Sequence, residues 1–192
     1  MDLDARPTGI PGCLELRPRE ISDHRGAFIK TFREDRFRAL GLPTDWAEQY
    51  YSESRPGVLR GLHLQLPPFD HGKLVHCMRG HVVDVVVDLR KGSPAEGQAA
   101  RVELSAETRN MLYVPNGLAH GFCTTDVPAT VLYCATTVHA PDFEAGIRWD
   151  SLAVAWPLSA PTLSARDARL PPLSAFESPF VFDPDAQAIA TP

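Results

Sequence analysis

From position 46 to position 138 the chain repeats one pattern, a short run of alternating apolar and polar residues followed by a cluster of turn formers. The runs lie near 47–52, 58–66, 73–78, 82–89, 98–104, 111–114, 119–124 and 130–138. Between them stand breakers such as Arg55-Pro56-Gly57, Pro67-Pro68, Arg79-Gly80, Lys91-Gly92-Ser93-Pro94, Pro115-Asn116-Gly117 and Asp126-Val127-Pro128. A period of two is that of a strand with one buried face, and these runs are too short for ordinary helices. About eight such strands in succession predict an antiparallel sandwich or jelly-roll barrel, since a facing sheet or barrel closure must cover the apolar sides. No repeat of solenoid length is present. At 192 residues, 44% of them hydrophobic, the chain can bury one such core, so residues 1–192 are expected to form a single domain.

The flanks follow the same logic. Alternation in Cys13-Leu14-Glu15-Leu16-Arg17 predicts an edge strand, Ser22-Asp23-His24-Arg25-Gly26 is turn chemistry, and 28–32 alternates as a half-buried strand should. Phe37 and Leu40 stand at helical spacing ahead of Gly41 and Pro43, which predicts one short helix over 34–40. Beyond Trp149-Asp150 the composition shifts to Pro, Ala and Ser. Residues 151–192 read as an extension with one helical turn at 163–168, capped by Ser164, and a tail rich in proline (Pro171, Pro172, Pro179, Pro184, Pro192) that wraps the surface or frays.

Several function classes are disfavoured. A net charge of −5 argues against a nucleic-acid footprint, although a few converging Arg and Lys side chains would still hold a small anion. The most hydrophobic run, 82–89, is short and interrupted by Asp84 and Asp88, so no membrane span is expected. Met1 to Arg6 has neither a basic leader nor an apolar segment, which points to the cytoplasm. Cys13, Cys77, Cys123 and Cys134 lack paired spacing and read as reduced thiols, three of them in apolar strand-like surroundings.

Within the strand pattern, Gly57-Val58-Leu59-Arg60-Gly61-Leu62-His63-Leu64-Gln65 and Lys73-Leu74-Val75 carry a guanidinium, an imidazole and an amine on two successive runs. Alternation places Leu59, Gly61, His63 and Gln65 on one face and Arg60, Leu62 and Leu64 on the other. If the first face is interior, His63 sits beside Gly61, where a ligand can approach the backbone closely. Spacing alone leaves His63 two readings, a satisfied core histidine or a proton acceptor. Lys73 is costly to bury unless an anion or anionic transition state compensates it, or its head snorkels to water. Tyr133, between Leu132 and Cys134, has the ordinary reading of a core tyrosine.

The donor set argues against a metal. Pro115-Asn116-Gly117-Leu118-Ala119-His120 matches the second motif of metal-holding cupin barrels, PxGxxH, but the first motif needs HxH followed by Glu. Here it reads His63-Leu64-Gln65 and then Asp70, which leaves too few nitrogen and oxygen donors for a well-held divalent ion. His71 lies in a turn, and His76 and His81 have no partner at useful spacing. No metal and no cofactor is expected.

Taken together and in order, five segments resemble the dTDP-4-dehydrorhamnose 3,5-epimerase family. They are Gly57 to His63; Lys73-Leu74-Val75; Asp84-Val85-Val86-Val87-Asp88-Leu89-Arg90 with Ser93-Pro94; Pro115 to Phe122; and Glu144-Ala145-Gly146-Ile147-Arg148-Trp149-Asp150. The resemblance spans roughly residues 13–175. It implies an all-β, cupin-like antiparallel jelly roll with short peripheral helices, acting without metal, as a homodimer, on a nucleotide-diphosphate sugar. Carried over by position, it makes His63 the base that takes a proton beside a C4 ketone and Asp167 the carboxylate that orients it. Lys73 becomes the enolate stabiliser, and Tyr133 the acid on the opposite face. Arg60 and His120 would hold the sugar or diphosphate, and Arg25 with Phe28 would touch the nucleotide, partly across the dimer. Glu48, His139 and Glu144 complete the expected substrate-binding set.

Departures fall where the substrate is chosen. Where the family usually has Glu, Gln and Asn, this chain has Lys30, Glu48 and Tyr50, and an aromatic becomes His139. Either Lys30 pairs with Glu48, or Glu48 accepts N–H bonds from a base other than thymine, which leaves the nucleotide open. His139 leaves open whether one or two centres are inverted. The alternatives are a related nucleotide-sugar 3,4-ketoisomerase and a non-catalytic sugar-nucleotide-binding cupin. Together, His63, Lys73, Tyr133 and Asp167 disfavour the last.

Overall fold

A computed structural model describes residues 3–184; Met1, on which the reading of the N-terminus rests, and Pro192 lie outside the described residues. Two antiparallel sheets face each other. The first has the order β1 (Leu3–Pro7), β2 (Leu14–Pro18), β10 (Met111–Val114), β7 (Lys73–Arg79), β12 (Ala129–Ala135), β5 (Glu48–Ser54). The second runs β13 (Glu144–Gly146), β6 (Leu59–Gln65), β11 (Leu118–Thr124), β8 (His81–Asp88), β9 (Ala99–Ser105). The expected all-β, cupin-like jelly roll is what forms, with one short helix, α1 (Glu34–Ala39), and a few single 3₁₀ turns at its periphery.

Alternation sorts the side chains into three apolar layers. Between the sheets lie Val75, Cys77, Leu112, Val131 and Tyr133 from the first and Val82, Val86, Leu104, Leu118 and Phe122 from the second. The outer face of the first sheet (Leu14, Leu16, Leu74, Met111, Tyr113) is covered by Phe37, Leu40 and Leu42. The outer face of the second (Leu62, Leu64, Val83, Val85, Val87, Ala119) is covered by Ile147, Phe180 and the partly buried Leu152, Trp156 and Phe176. β8 is therefore buried on both faces, which is why it reads as a nearly unbroken apolar run. Each such side chain contributes about 1.5–3 kcal/mol when fully buried.

Three local expectations are corrected. The strand over 14–18 is not at an edge, because β1, whose short sequence ends in Pro7, pairs outside it. The 28–32 segment is not half-buried: β4 (Gly26–Ile29) pairs only with β3 (Glu20–Asp23), in a hairpin where Phe28 is 57% exposed. The strand expected over 130–138 stops at Ala135, one residue before Thr136, whose N–H still bonds Gly72 O beside the end of β7. All four cysteines are free, and Cys13, Cys77 and Cys123 are buried.

Candidate active site

The site begins with a bulge. Cross-strand partners share a face, and β11 pairs with β6 as His120 with His63 and Phe122 with Arg60. Three steps along β6 thus oppose two along β11, one extra residue, which reverses the alternation between Arg60 and His63. Strict alternation had put these two on opposite faces; the bulge turns both inward. Gly61 and Gly121 make it possible, because Gly61 has φ +116° and a Cβ there would lie 2.7 Å from the Gly121 Cα.

The inward residues of β5, β6, β7, β11 and β12 line a cavity of about 750 Å³ at the barrel mouth. Of the expected site residues, His63, Lys73, Tyr133, Asp167, Glu48, Arg60, His120, His139 and Glu144 all line it. Arg25 and Phe28 do not: they sit on the β3–β4 hairpin, where Arg25 pairs with Asp23 at 2.6 Å.

His63 Nε2 lies 2.8 Å from Asp167 Oδ1, and Asp167 Oδ2 accepts the Gly61 N–H at 3.2 Å. Asp167 reaches β6 because the C-terminal segment runs alongside it: Thr162 N–H bonds Gly57 O at 2.7 Å, and Leu59 N–H returns to Thr162 O. The turn expected over 163–168 with Ser164 as its cap is shorter and begins later, with Arg166 at its N-cap position. The 3₁₀ turn is Asp167–Arg169, and Ser164 Oγ accepts the Asp167 N–H at 3.0 Å. Burial alone would raise the Asp167 pKa, but hydrogen bonding and charge from His63, the Gly61 N–H and Ser164 outweigh it and bring it down to about 2. A carboxylate on Nε2 fixes the tautomer with Nε2–H donating, which leaves the Nδ1 lone pair as the basic atom.

Lys73 and Tyr133 share the inner face with Val75 and Val131. Burial, partly offset by the charges of Glu144 and Asp84, lowers the Lys73 pKa to about 8. Burial raises that of Tyr133, so its hydroxyl keeps its proton throughout the neutral range. Tyr50 stacks on Tyr133 across the β5–β12 pair, ring centroids 4.9 Å apart. His120 Nε2 lies 2.8 Å from Asp84, a carboxylate whose pKa burial raises and the His120 and Lys73 charges pull back. Arg60 Nε donates to Ser54 Oγ at 2.9 Å, and one Nη to Glu53 O at 3.0 Å, which fixes the fork at the cavity wall. Glu48 does not pair with Lys30. Its Oε2 accepts the His139 backbone N–H at 2.6 Å, while the Lys30 ammonium sits 6.0 Å from the Phe28 ring centre.

Two titratable residues of the cavity wall, Arg166 and His71, lie outside the expected site set. Arg166 Nη2 stands 3.0 Å from Nε2 and 3.4 Å from Nδ1 of His63, and such similar distances place the guanidinium over the ring face rather than on either lone pair. Its Nη1 pairs with Glu144. His71, assigned to a turn, lines the cavity, and the Gln65 Nε2 group lies 3.0 Å from its Nδ1. The Asp-His-Gly context of His71 reads as turn chemistry, and Arg166 lies in a segment without periodicity, so neither carried a signal.

A jelly roll whose mouth holds a carboxylate-bound imidazole, a half-buried lysine and a buried phenol defines an enzyme of the cupin-like class, here an isomerase. The chain belongs to the dTDP-4-dehydrorhamnose 3,5-epimerase family, whose model matches residues 7–175. It is 42% identical over 168 residues to the dTDP-4-dehydrorhamnose 3,5-epimerase of Salmonella typhimurium, covering 85% of this chain and 92% of that one. It is 40% identical over 165 residues to the dTDP-4-dehydrorhamnose 3-epimerase of Streptomyces niveus, covering 84% and 80%. Among solved structures it is similar to the dTDP-6-deoxy-D-glucose-3,5-epimerase of Legionella pneumophila in complex with dTDP-4-keto-L-rhamnose. The TM-score is 0.89 at 34% identity, covering 94% of this chain and 100% of that one.

Proposed function

We propose that the protein inverts C3, C5 or both in a nucleotide-linked 4-keto-6-deoxy sugar, by proton removal and return without a metal. The observation that carries this reading is the convergence of the His63–Asp167 pair, Lys73 and Tyr133 on one cavity. A C–H beside a ketone is a weak acid, and its loss is eased chiefly by fixed positive charge where the enolate oxygen develops. One such donor is worth about 3–4 kcal/mol. His63 Nδ1 takes the proton, Lys73 meets the oxygen, and the Tyr133 hydroxyl returns a proton to the opposite face, which inverts the centre. Gln65 supports the metal-free reading, because its amide is committed to Phe69 O, His71 Nδ1 and the Ala140 N–H.

The relatives' names include both 3,5- and 3-epimerases, and dTDP sugars are the substrate class that those names share. The engagement of Glu48 with His139 N–H takes one oxygen away from a nucleobase and keeps dTDP the first nucleotide to try. We place the enzyme in the cytoplasm, in keeping with four free thiols, and as a homodimer in which Arg25 and Phe28 serve the partner's cavity. No helix among the described residues is long and apolar enough to cross a membrane.

The test follows sugar protons by NMR in D₂O with dTDP-4-keto-6-deoxyglucose. We expect exchange at C3, C5 or both with the wild type and none with His63→Ala, whose circular dichroism should match the wild type. Tyr133→Phe should exchange but fail to invert. A wild type that moves the keto group is a ketoisomerase, and one that exchanges no position on any nucleotide sugar is a binding module; either result ends the epimerase reading.

A further inference from the structure

Lys73 brings an amine to the cavity wall and leaves it uncommitted. It is half-buried at the start of β7, and its side chain makes no hydrogen bond and no ion pair among the described residues. Its Nζ is not one of the polar atoms closed off from solvent, so it is open to whatever enters the cavity. Glu144 and Asp84 act on it only through space, as charges that partly offset its burial. With its pKa lowered to about 8, about half of the amine is neutral at that pH, against roughly 0.4% for a lysine of ordinary pKa. A neutral amine in apolar surroundings, here beside Val75 and Val131, is the kind that attacks carbonyl carbon and forms Schiff bases.

The rest of the wall says which carbonyl compounds fit. At about 750 Å³ the cavity is of the size that takes small molecules. Phe122 and the stacked rings of Tyr50 and Tyr133, only 16° from parallel, give it flat apolar faces. Arg60 commits Nε and one Nη to Ser54 Oγ and Glu53 O, and its other Nη has no partner among the described residues, which leaves a fixed cation for an anion. We propose that Lys73 is a covalent capture site for planar aldehydes that carry an anionic group, its amine closing an imine inside the cavity. The nitrogen lone pair forms the C–N bond as the carbonyl pair moves to oxygen. The carbinolamine then loses that oxygen as water, which carries away both amine protons. The charges of Glu144 and Asp84 that favour the ammonium favour the protonated imine as well. Capture needs no sugar chemistry, so it stands apart from the epimerase reading.

The probe is pyridoxal 5′-phosphate on the unaltered protein at pH 8, followed by borohydride reduction and peptide mass mapping. The chain's other lysines, Lys30 and Lys91, are both exposed and serve as internal references. We expect label on Lys73 at least about 10-fold faster than on either, with a rate that levels off as pH rises past about 8. That preference should fall several-fold with pyridoxal, which lacks the phosphate, and in Arg60→Ala. Equal rates at the three lysines, or a preference indifferent to both changes, overturns the proposal. A protein that exchanges sugar protons while its Lys73 stays unlabelled overturns capture and leaves the epimerase reading intact. Label on Lys73 of a protein that exchanges nothing does the reverse.

Discussion

At the scale of single residues, Lys73 ties activity and stability to pH with opposite signs. Its pKa falls from 10.5 unfolded to about 8 folded because burial disfavours the charge. Between those values the unfolded chain binds more protons than the folded one, so folding stability attributable to this group rises with pH. Catalysis runs the other way, because only the ammonium can meet the enolate. We expect kcat/KM of the wild type to decline as pH rises through about 8, and Lys73→Arg to carry the decline to higher pH. The stability difference between wild type and Lys73→Met, from urea unfolding, should narrow between pH 8 and 10. A flat kcat/KM profile up to pH 10 would remove the Lys73 charge from the mechanism.

At the scale of elements, the β6–β11 bulge decides whether there is a site at all. A Cβ at Gly121 would stand 2.4 Å from the Arg60 carbonyl oxygen and 3.1 Å from Gly61 Cα, both backbone, so neither strand can yield without breaking the pairing. Gly121→Ala should cost about 2–4 kcal/mol in chemical denaturation and lower activity well beyond that loss of folded enzyme, as Arg60 and His63 turn apart. This bulge also marks the limit of what the sequence disclosed. Strands with one face against the core announced themselves through alternation, whereas the roles of Lys73, His120 and Tyr133 came only with the family resemblance. β3 has no buried residue and β13 spans only Glu144–Gly146, so neither leaves a period to detect. Arg60 was assigned the wrong face because one extra residue inverts a period of two, and two glycines are a faint sign of it. Asp167 was reachable only by family resemblance, since no local pattern says that a coil from 104 residues away will lie along β6.

At the scale of the whole molecule, the β3–β4 hairpin projects from the barrel with nearly every residue exposed, and a two-stranded ribbon is marginal in water by itself. If it packs on a second copy and serves that copy's cavity, defects at His63 and Arg25 should complement each other. Mixed dimers of His63→Ala and Arg25→Ala chains would hold one cavity with both intact residues, and a refolded equal mixture should show about a quarter of wild-type turnover from two nearly inactive parents. Activity no higher than the parents' sum, or a monomer by analytical ultracentrifugation, would return the hairpin to its own subunit. The Gln65 amide has a different reach. One buried side chain holds the ring of His71 and, through Ala140 N–H, the loop that carries His139, so two histidines of the cavity wall hang from the same peg. Libraries seeking new sugar preferences should therefore randomise 139 and 50 and spare 65, since a change at 65 releases both parts of the wall at once.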